Sequence, residues 1–145
     1  MTHDIANAAR NLATVQSIYA AFGRGDVEAI LACMAPDVKW EAWTDNHAQR
    51  AGVPWLKPQT GPAGVAAFFA YIGQWKTNAF AVKTLLTGAD SVAAELEIDF
   101  DITQTGARLK EEEMHLWTFD DKGKVARFRH YGDTAKHIAA AKGAT

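Results

Sequence analysis

The stretch that most restricts this chain is 93–102, where Leu96, Ile98, Phe100 and Ile102 alternate with Glu95, Glu97, Asp99 and Asp101. Successive side chains of a strand point to opposite faces of a sheet. A period of two held over eight residues therefore predicts a strand with one face in a core and an acidic face in water. Further strands are predicted over 79–86, 108–119 and 124–132. Thr105-Gly106 and Asp120-Asp121-Lys122-Gly123 supply the turn residues between them. The C-terminal half thus reads as an antiparallel meander.

The N-terminal half has a different period. Ile5, Ala8, Ala9, Leu12, Val15, Ile18, Tyr19 and Phe22 recur at spacings of three and four, which predicts a helix over 5–23 ended by Gly23 and Gly25. Asp26 is placed to cap a second helix over 27–34, before Pro36. A strand is predicted over 37–43, with Val38, Trp40 and Ala42 on one side. Residues 44–63 hold three prolines and are read as irregular, although Trp43 and Trp55 require the loop to fold over something apolar. A third helix is predicted over 63–75, with Val65, Phe68, Phe69 and Ile72 inward. Asp133 is placed to cap a terminal helix. Helices gathered on one face of a mostly antiparallel sheet define an α+β domain spanning 1–145. A curved sheet with three N-terminal helices across its concave face encloses a conical cavity.

Composition narrows the function. The chain is 145 residues long, and a chain of that length buries roughly 68–70% of its unfolded surface without a staple. Fifteen Lys and Arg against 17 Asp and Glu give a net charge of −2, which offers no basic field for nucleic acid. No apolar run reaches the ~20 residues of a membrane span, and the N-terminus has no signal-peptide core, so a cytoplasmic protein is expected. Cys33 is the only cysteine; it is read as a small apolar helix residue with no disulfide.

The segments YAAFGRGDVEAILACMAPDVKWE, GPAGVAAFFAYI and EEEMHLWTFDDKGKVARFRHYGDTA resemble the nuclear transport factor 2-like superfamily, and within it SnoaL-like and ketosteroid-isomerase-related domains, over about residues 8–140. The resemblance implies a cystatin-like cone and a homodimer through the convex sheet face. It also permits comparison with the enzymes of the fold. The ketosteroid isomerase base position falls on Ala42, its tyrosine position on Ile18 beside Tyr19, and its oxyanion aspartate position on His115. The epoxide hydrolase positions fall on Leu96, Ile98 and His130. The SnoaL-type cyclase histidine matches His115, while its aspartate position holds His130.

Parity on the two strands flanking the 120–123 turn places His115 with Trp117 and Phe119, and His130 with Phe128 and Ala126. Both faces are otherwise apolar and are expected to point into the cone. Two imidazoles beside one ligand would have their pKa values pushed apart into one acid and one base. Glu113 shares the face of His115 and would orient it or act as the base; in the alternative it is a solvated member of the run Glu111-Glu112-Glu113. Asp133 would reach His130, or serve only as a helix cap. Tyr19, Trp40, Trp55, Phe69, Trp117 and Phe128 are the candidate ligand-binding walls, with Trp75 beside them. His47 is expected to be an exposed loop residue, and His3 and His137 to be peripheral. His115, His130 and Asp133 have the donor types of a metal triad but lack a local His-x-His spacing, so no metal and no cofactor are expected. The function expected is a small-molecule pocket supporting cofactor-independent isomerisation, cyclisation or dehydration of an apolar carbonyl compound. The alternative is a non-catalytic binding or sensing module.

Overall fold

In the computed structural model, which describes residues 2–144, the side chains of Thr2, His3 and Ala42 lie outside the described residues, and with them the places expected of His3 and Ala42. Six strands form one sheet: β1 Met34–Ala42, β2 Gln59–Thr60, β3 Lys76–Thr87, β4 Ser91–Ile102, β5 Ala107–Phe119 and β6 Val125–Tyr131, in the order β2-β1-β6-β5-β4-β3. Strands β3 to β6 are the antiparallel meander, and β1 joins β6 in parallel. A parallel neighbour cannot be reached by a tight turn. The chain accordingly leaves β1 through α3 (His47–Arg50), a 3₁₀ turn at Pro54–Leu56, β2 and α4 (Gly61–Ile72) before entering β3. The other helices are α1 (Thr2–Gly23), α2 (Val27–Leu31) and α5 (Thr134–Ala141). Among the described residues, no helix is long and apolar enough to cross a membrane.

Several boundaries differ from those expected. Helix α2 stops at Leu31, so Cys33 lies in the following turn. Pro36 restricts the residue before it to extended backbone, and the Cys33 carbonyl already accepts from Val125 N–H of β6 at 2.9 Å. Helix α4 ends at Ile72, leaving Trp75 in a turn. The 44–63 stretch is more regular than its prolines suggested. Asn46 caps α3 through Gln49 N–H, and Trp55 and Leu56 are buried. On β4, Leu96, Ile98, Phe100 and Ile102 are buried and Glu95 and Glu97 exposed, as expected, but Asp99 is only 7% exposed. Arg108 covers it with two hydrogen bonds of 2.8 and 2.5 Å. The Arg108 bond holds the Asp99 pKa down to about 2.

The interior contains two apolar groups. One gathers Val15, Ile18, Trp40, Val65, Phe69, Trp117 and Phe128. The other gathers Trp55, Leu96, Ile98, Phe100 and Leu109. Strand β5 passes both. Its alternation is strict: Leu109, Glu111, Glu113, His115, Trp117 and Phe119 face inward and are buried, while Met114 is 40% exposed on the other face. Two carboxylates and an imidazole thus enter the core, where unpaired polar groups are costly.

Candidate functional site

Those buried groups satisfy one another. His115 and His130 are direct cross-strand partners, as are Trp117 and Phe128. A register shift after Thr118 brings Val125, rather than Ala126, opposite Phe119. Trp117 Nε1–H donates to the Tyr19 hydroxyl at 3.0 Å, and Tyr19 pairs with His115 Nδ1 at 2.7 Å. The Glu113 carboxylate facing Nε2 can only accept, so the Nδ1 of the neutral His115 ring accepts from the Tyr19 hydroxyl and the ring keeps its proton on Nε2. That nitrogen meets Glu113 Oε1 at 3.1 Å, while His130 Nε2 meets Glu113 Oε2 at 2.6 Å. Every donor in the chain points toward Glu113, which therefore acts as an acceptor on both oxygens.

Burial by itself would raise the Glu113 carboxyl. The His130 charge and the hydrogen bonds from both histidines outweigh it and hold Glu113 well below the usual carboxylate range. Burial would likewise lower His130, but the charge and hydrogen bond of Glu113 carry it above the ordinary histidine value. For His115 burial prevails over its Glu113 bond, and its pKa is lowered. Burial also pushes the Tyr19 hydroxyl far up, so it remains a donor. Among the described residues, the buried His130 Nδ1 has no partner.

A second pair lies behind the first. His137, expected to be peripheral, is 2% exposed. Trp55 Nε1–H donates to its Nδ1 at 2.8 Å, and its Nε2 bonds Glu111 Oε1. Glu111 Oε2 accepts from Asp133 N–H at 2.8 Å. Burial raises the Glu111 carboxyl, the His137 bond only partly opposing it. Gly132 makes the close approach possible. A Cβ there would stand 2.8 Å from Glu111 Oε1 and 3.1 Å from both His130 Cε1 and His137 Nε2. Glu111 and His137 were missed because a run of three glutamates reads as solvent-facing and a helix histidine gives no sign of its orientation. The parity that placed Glu113 inward applied equally to Glu111.

Glu111, Glu113, His130 and His137 bring four donor atoms within 4.8 Å of one another, which is the composition of a metal cage. The hydrogen-bond directions oppose that use. The Trp55 indole can only donate, so the proton of His137 sits on Nε2 and faces Glu111. A metal on Nε2 would move that proton to Nδ1, against the indole N–H. The Nε2 atoms of both histidines are already matched to carboxylate oxygens of Glu113 and Glu111.

The histidine wall borders a cavity of about 100 Å³ between the two apolar groups. Tyr19, Trp40, Trp55, Phe69, Trp117 and Phe128 all line it, as do Trp75, Glu113, His115, His130 and His137. Asp133 is exposed and does not line the cavity; its carboxylate is taken up by the Ala135 and Lys136 N–H groups of α5. His47 is exposed in α3.

A six-stranded curved sheet closed by helices over one cavity is the nuclear transport factor 2-like architecture. The chain belongs to the SnoaL-like domain family, which matches residues 15–128. Among solved structures, a nuclear transport factor 2-like protein of unknown function from Burkholderia pseudomallei is 23% identical, with a TM-score of 0.74 over 89% of this chain and 95% of that one. A protein provisionally assigned as a polyketide cyclase from Xanthomonas campestris is 22% identical, with a TM-score of 0.69 over 93% and 98%. TerC, crystallised with polyporic acid, is 23% identical, with a TM-score of 0.73 over 92% and 98%. At these identities the likeness is one of fold. No curated protein sequence matches the chain at a significant level.

Proposed function

We propose that this protein is a cofactor-independent acid–base enzyme acting on a compact, largely apolar carbonyl compound, with His130 Nδ1 as the atom that exchanges the proton. The observation that carries this reading is the 2.6 Å bond between Glu113 Oε2 and His130 Nε2 on a ring whose Nδ1 is buried and unpartnered. A carboxylate on Nε2 fixes the tautomer, so proton exchange is confined to Nδ1. With both nitrogens protonated, the ring is a general acid. Once the Nδ1 proton has left, the same atom is a base able to take a proton from carbon next to a carbonyl. Isomerisation, aldol-type cyclisation and dehydration each need that transfer. His115 has both nitrogens occupied and serves as a positioning residue that holds the other oxygen of Glu113.

The cavity limits the substrate. An engineered cavity of about 150 Å³ takes up benzene, so a cavity of about 100 Å³ limits the substrate to at most one small ring. The provisional cyclase assignment of the Xanthomonas protein and the polyporic acid of TerC support a small-molecule role on this fold. A non-catalytic binding module is the second reading, favoured by the saturation of both His115 nitrogens. We also propose a homodimer through the convex sheet face, where Met114 is exposed and Leu116 half-buried.

Deuterium exchange separates the two readings without a known substrate. Cyclohexanone and cyclopentanone in D₂O are followed by NMR for loss of their α-protons. The enzyme reading expects acceleration by the wild type and a loss of about 10²–10⁴-fold in His130→Asn. Binding of these ketones with no acceleration over buffer would establish the module instead.

A further inference from the structure

The hydrogen-bond ledger of the interior leaves two indoles over. Among the described residues, the buried Trp40 Nε1 and Trp75 Nε1 have no partner, whereas Trp55 and Trp117 donate to His137 and Tyr19. Trp40 as a residue is only 4% exposed. Both residues line the cavity and come from different elements of the fold. Trp40 is on β1, stacked on Phe128 at 4.1 Å. Trp75 follows α4 and packs against Trp55 and Phe100 at 5.0 and 5.5 Å. An indole N–H is donor only, and a buried donor without an acceptor is costly enough that native interiors contain few. Replacement of either indole by phenylalanine would fill nearly the same apolar space without that cost.

We propose that Trp40 and Trp75 are the residues that fix the ligand's orientation, each donating its indole N–H to an acceptor atom of a compact cyclic compound bearing at least two acceptors. The inference rests on the small-molecule reading of the cavity given above, but not on turnover. Two donors carried by separate elements would, once a ligand reaches both, define its direction in the cavity. A ring with one acceptor satisfies only one of them. A ring with two well-separated acceptors satisfies both and is held in a single orientation against His130. Donors alone reject a ligand that presents N–H or O–H groups in those places, because two donors would then face each other.

The rival account is that each indole points at a neighbouring ring. Trp75 lies edge-on to Trp55 at 89°, and Trp40 edge-on to Trp117 at 74°. An N–H over a ring face is a weak hydrogen bond and needs no ligand. The two accounts differ in proton shift, since an N–H over a ring moves upfield and an N–H bonded to oxygen moves downfield.

The test is a titration of the ¹⁵N-labelled full chain with cyclohexane, cyclohexanone and 1,4-cyclohexanedione, three rings of similar volume with zero, one and two acceptors. The indole resonances are assigned from Trp40→Phe and Trp75→Phe. The expected result is a downfield shift of both orphan indoles with the dione and of at most one with the monoketone. The dione should also bind more tightly than cyclohexane despite its greater polarity, and each variant should lose about 3- to 10-fold of dione affinity. The wild-type shifts decide the matter even if a variant fails to fold. Dione binding that perturbs His130 while both indoles stay upfield overturns this inference and leaves the proton-transfer proposal standing. Failure of all three rings to bind overturns the inference together with the small-molecule reading.

Discussion

His115 and His130 face each other across β5 and β6, share one carboxylate, and are driven to opposite sides of the ordinary histidine pKa. Burial lowers both rings. The charge and shorter bond of Glu113 outweigh it at His130, whereas at His115 burial prevails and the charge of His130 adds to it. A proton-detected titration of the two rings should place His115 below about 6.5 and His130 above it. The stability terms follow with opposite signs. The raised His130 contributes fully below about 6.5, and its contribution is lost as pH rises through its folded value. The lowered His115 favours the folded state above about 6.5 and opposes it as pH falls toward its own folded value. Two rings titrating together at the free value would remove the basis of the proposed chemistry.

Glu113→Gln tests the carboxylate directly. The amide keeps the shape and loses the charge, so the His130 pKa should fall and ketone α-proton exchange should drop by about 10²–10⁴-fold. In the wild type the rate should rise with pH through the His130 titration, because the proton-accepting form is the one lacking the Nδ1 proton. That inflection should move to lower pH in the variant. An unchanged inflection would mean that another group accepts the proton.

The fold was legible because its longest signals are local. The alternation of 93–102 and the three-and-four spacing of α1 each survive any reading of the rest. The site was legible only as far as parity carries. His115, His130, Trp117 and Phe128 follow from the alternation within each strand, which holds even though a register shift after Thr118 lies between the turn and these pairs and would mislead a count across the turn. Glu111 and His137 depend on the packing of α5 against β5, set by Gly132 and the Asp133 N–H, and no periodicity encodes that contact. Asp99 shows the same limit on the outer face, where two bonds from Arg108 bury a residue whose parity points to water.

The convex face offers a test of association. Met114 is 40% exposed between charged neighbours, with Leu116 beside it. Apolar groups placed together there call for cover by a second copy. Light scattering at tens of micromolar should give a dimer for the wild type and a monomer for Met114→Lys combined with Leu116→Lys, with the circular dichroism unchanged. A monomeric wild type would end the dimer proposal.

Gly132→Ala asks whether the two histidine–carboxylate pairs are as tightly joined as they look. The glycine has no left-handed φ, so alanine fits its backbone and would ordinarily stabilise by about 0.4–1 kcal/mol through the unfolded chain. The added Cβ, however, would stand 2.8 Å from Glu111 Oε1 and 3.1 Å from His130 Cε1 and His137 Nε2. Those atoms are the ends of side chains, but each is held by a partner and cannot withdraw without giving up a buried bond. The expected result is a destabilisation of about 1–3 kcal/mol in denaturant unfolding, with the His130 and His137 ring resonances shifted. A more stable Gly132→Ala protein with unmoved histidines would show that Glu111 has room to retreat, and the two pairs would then be independent.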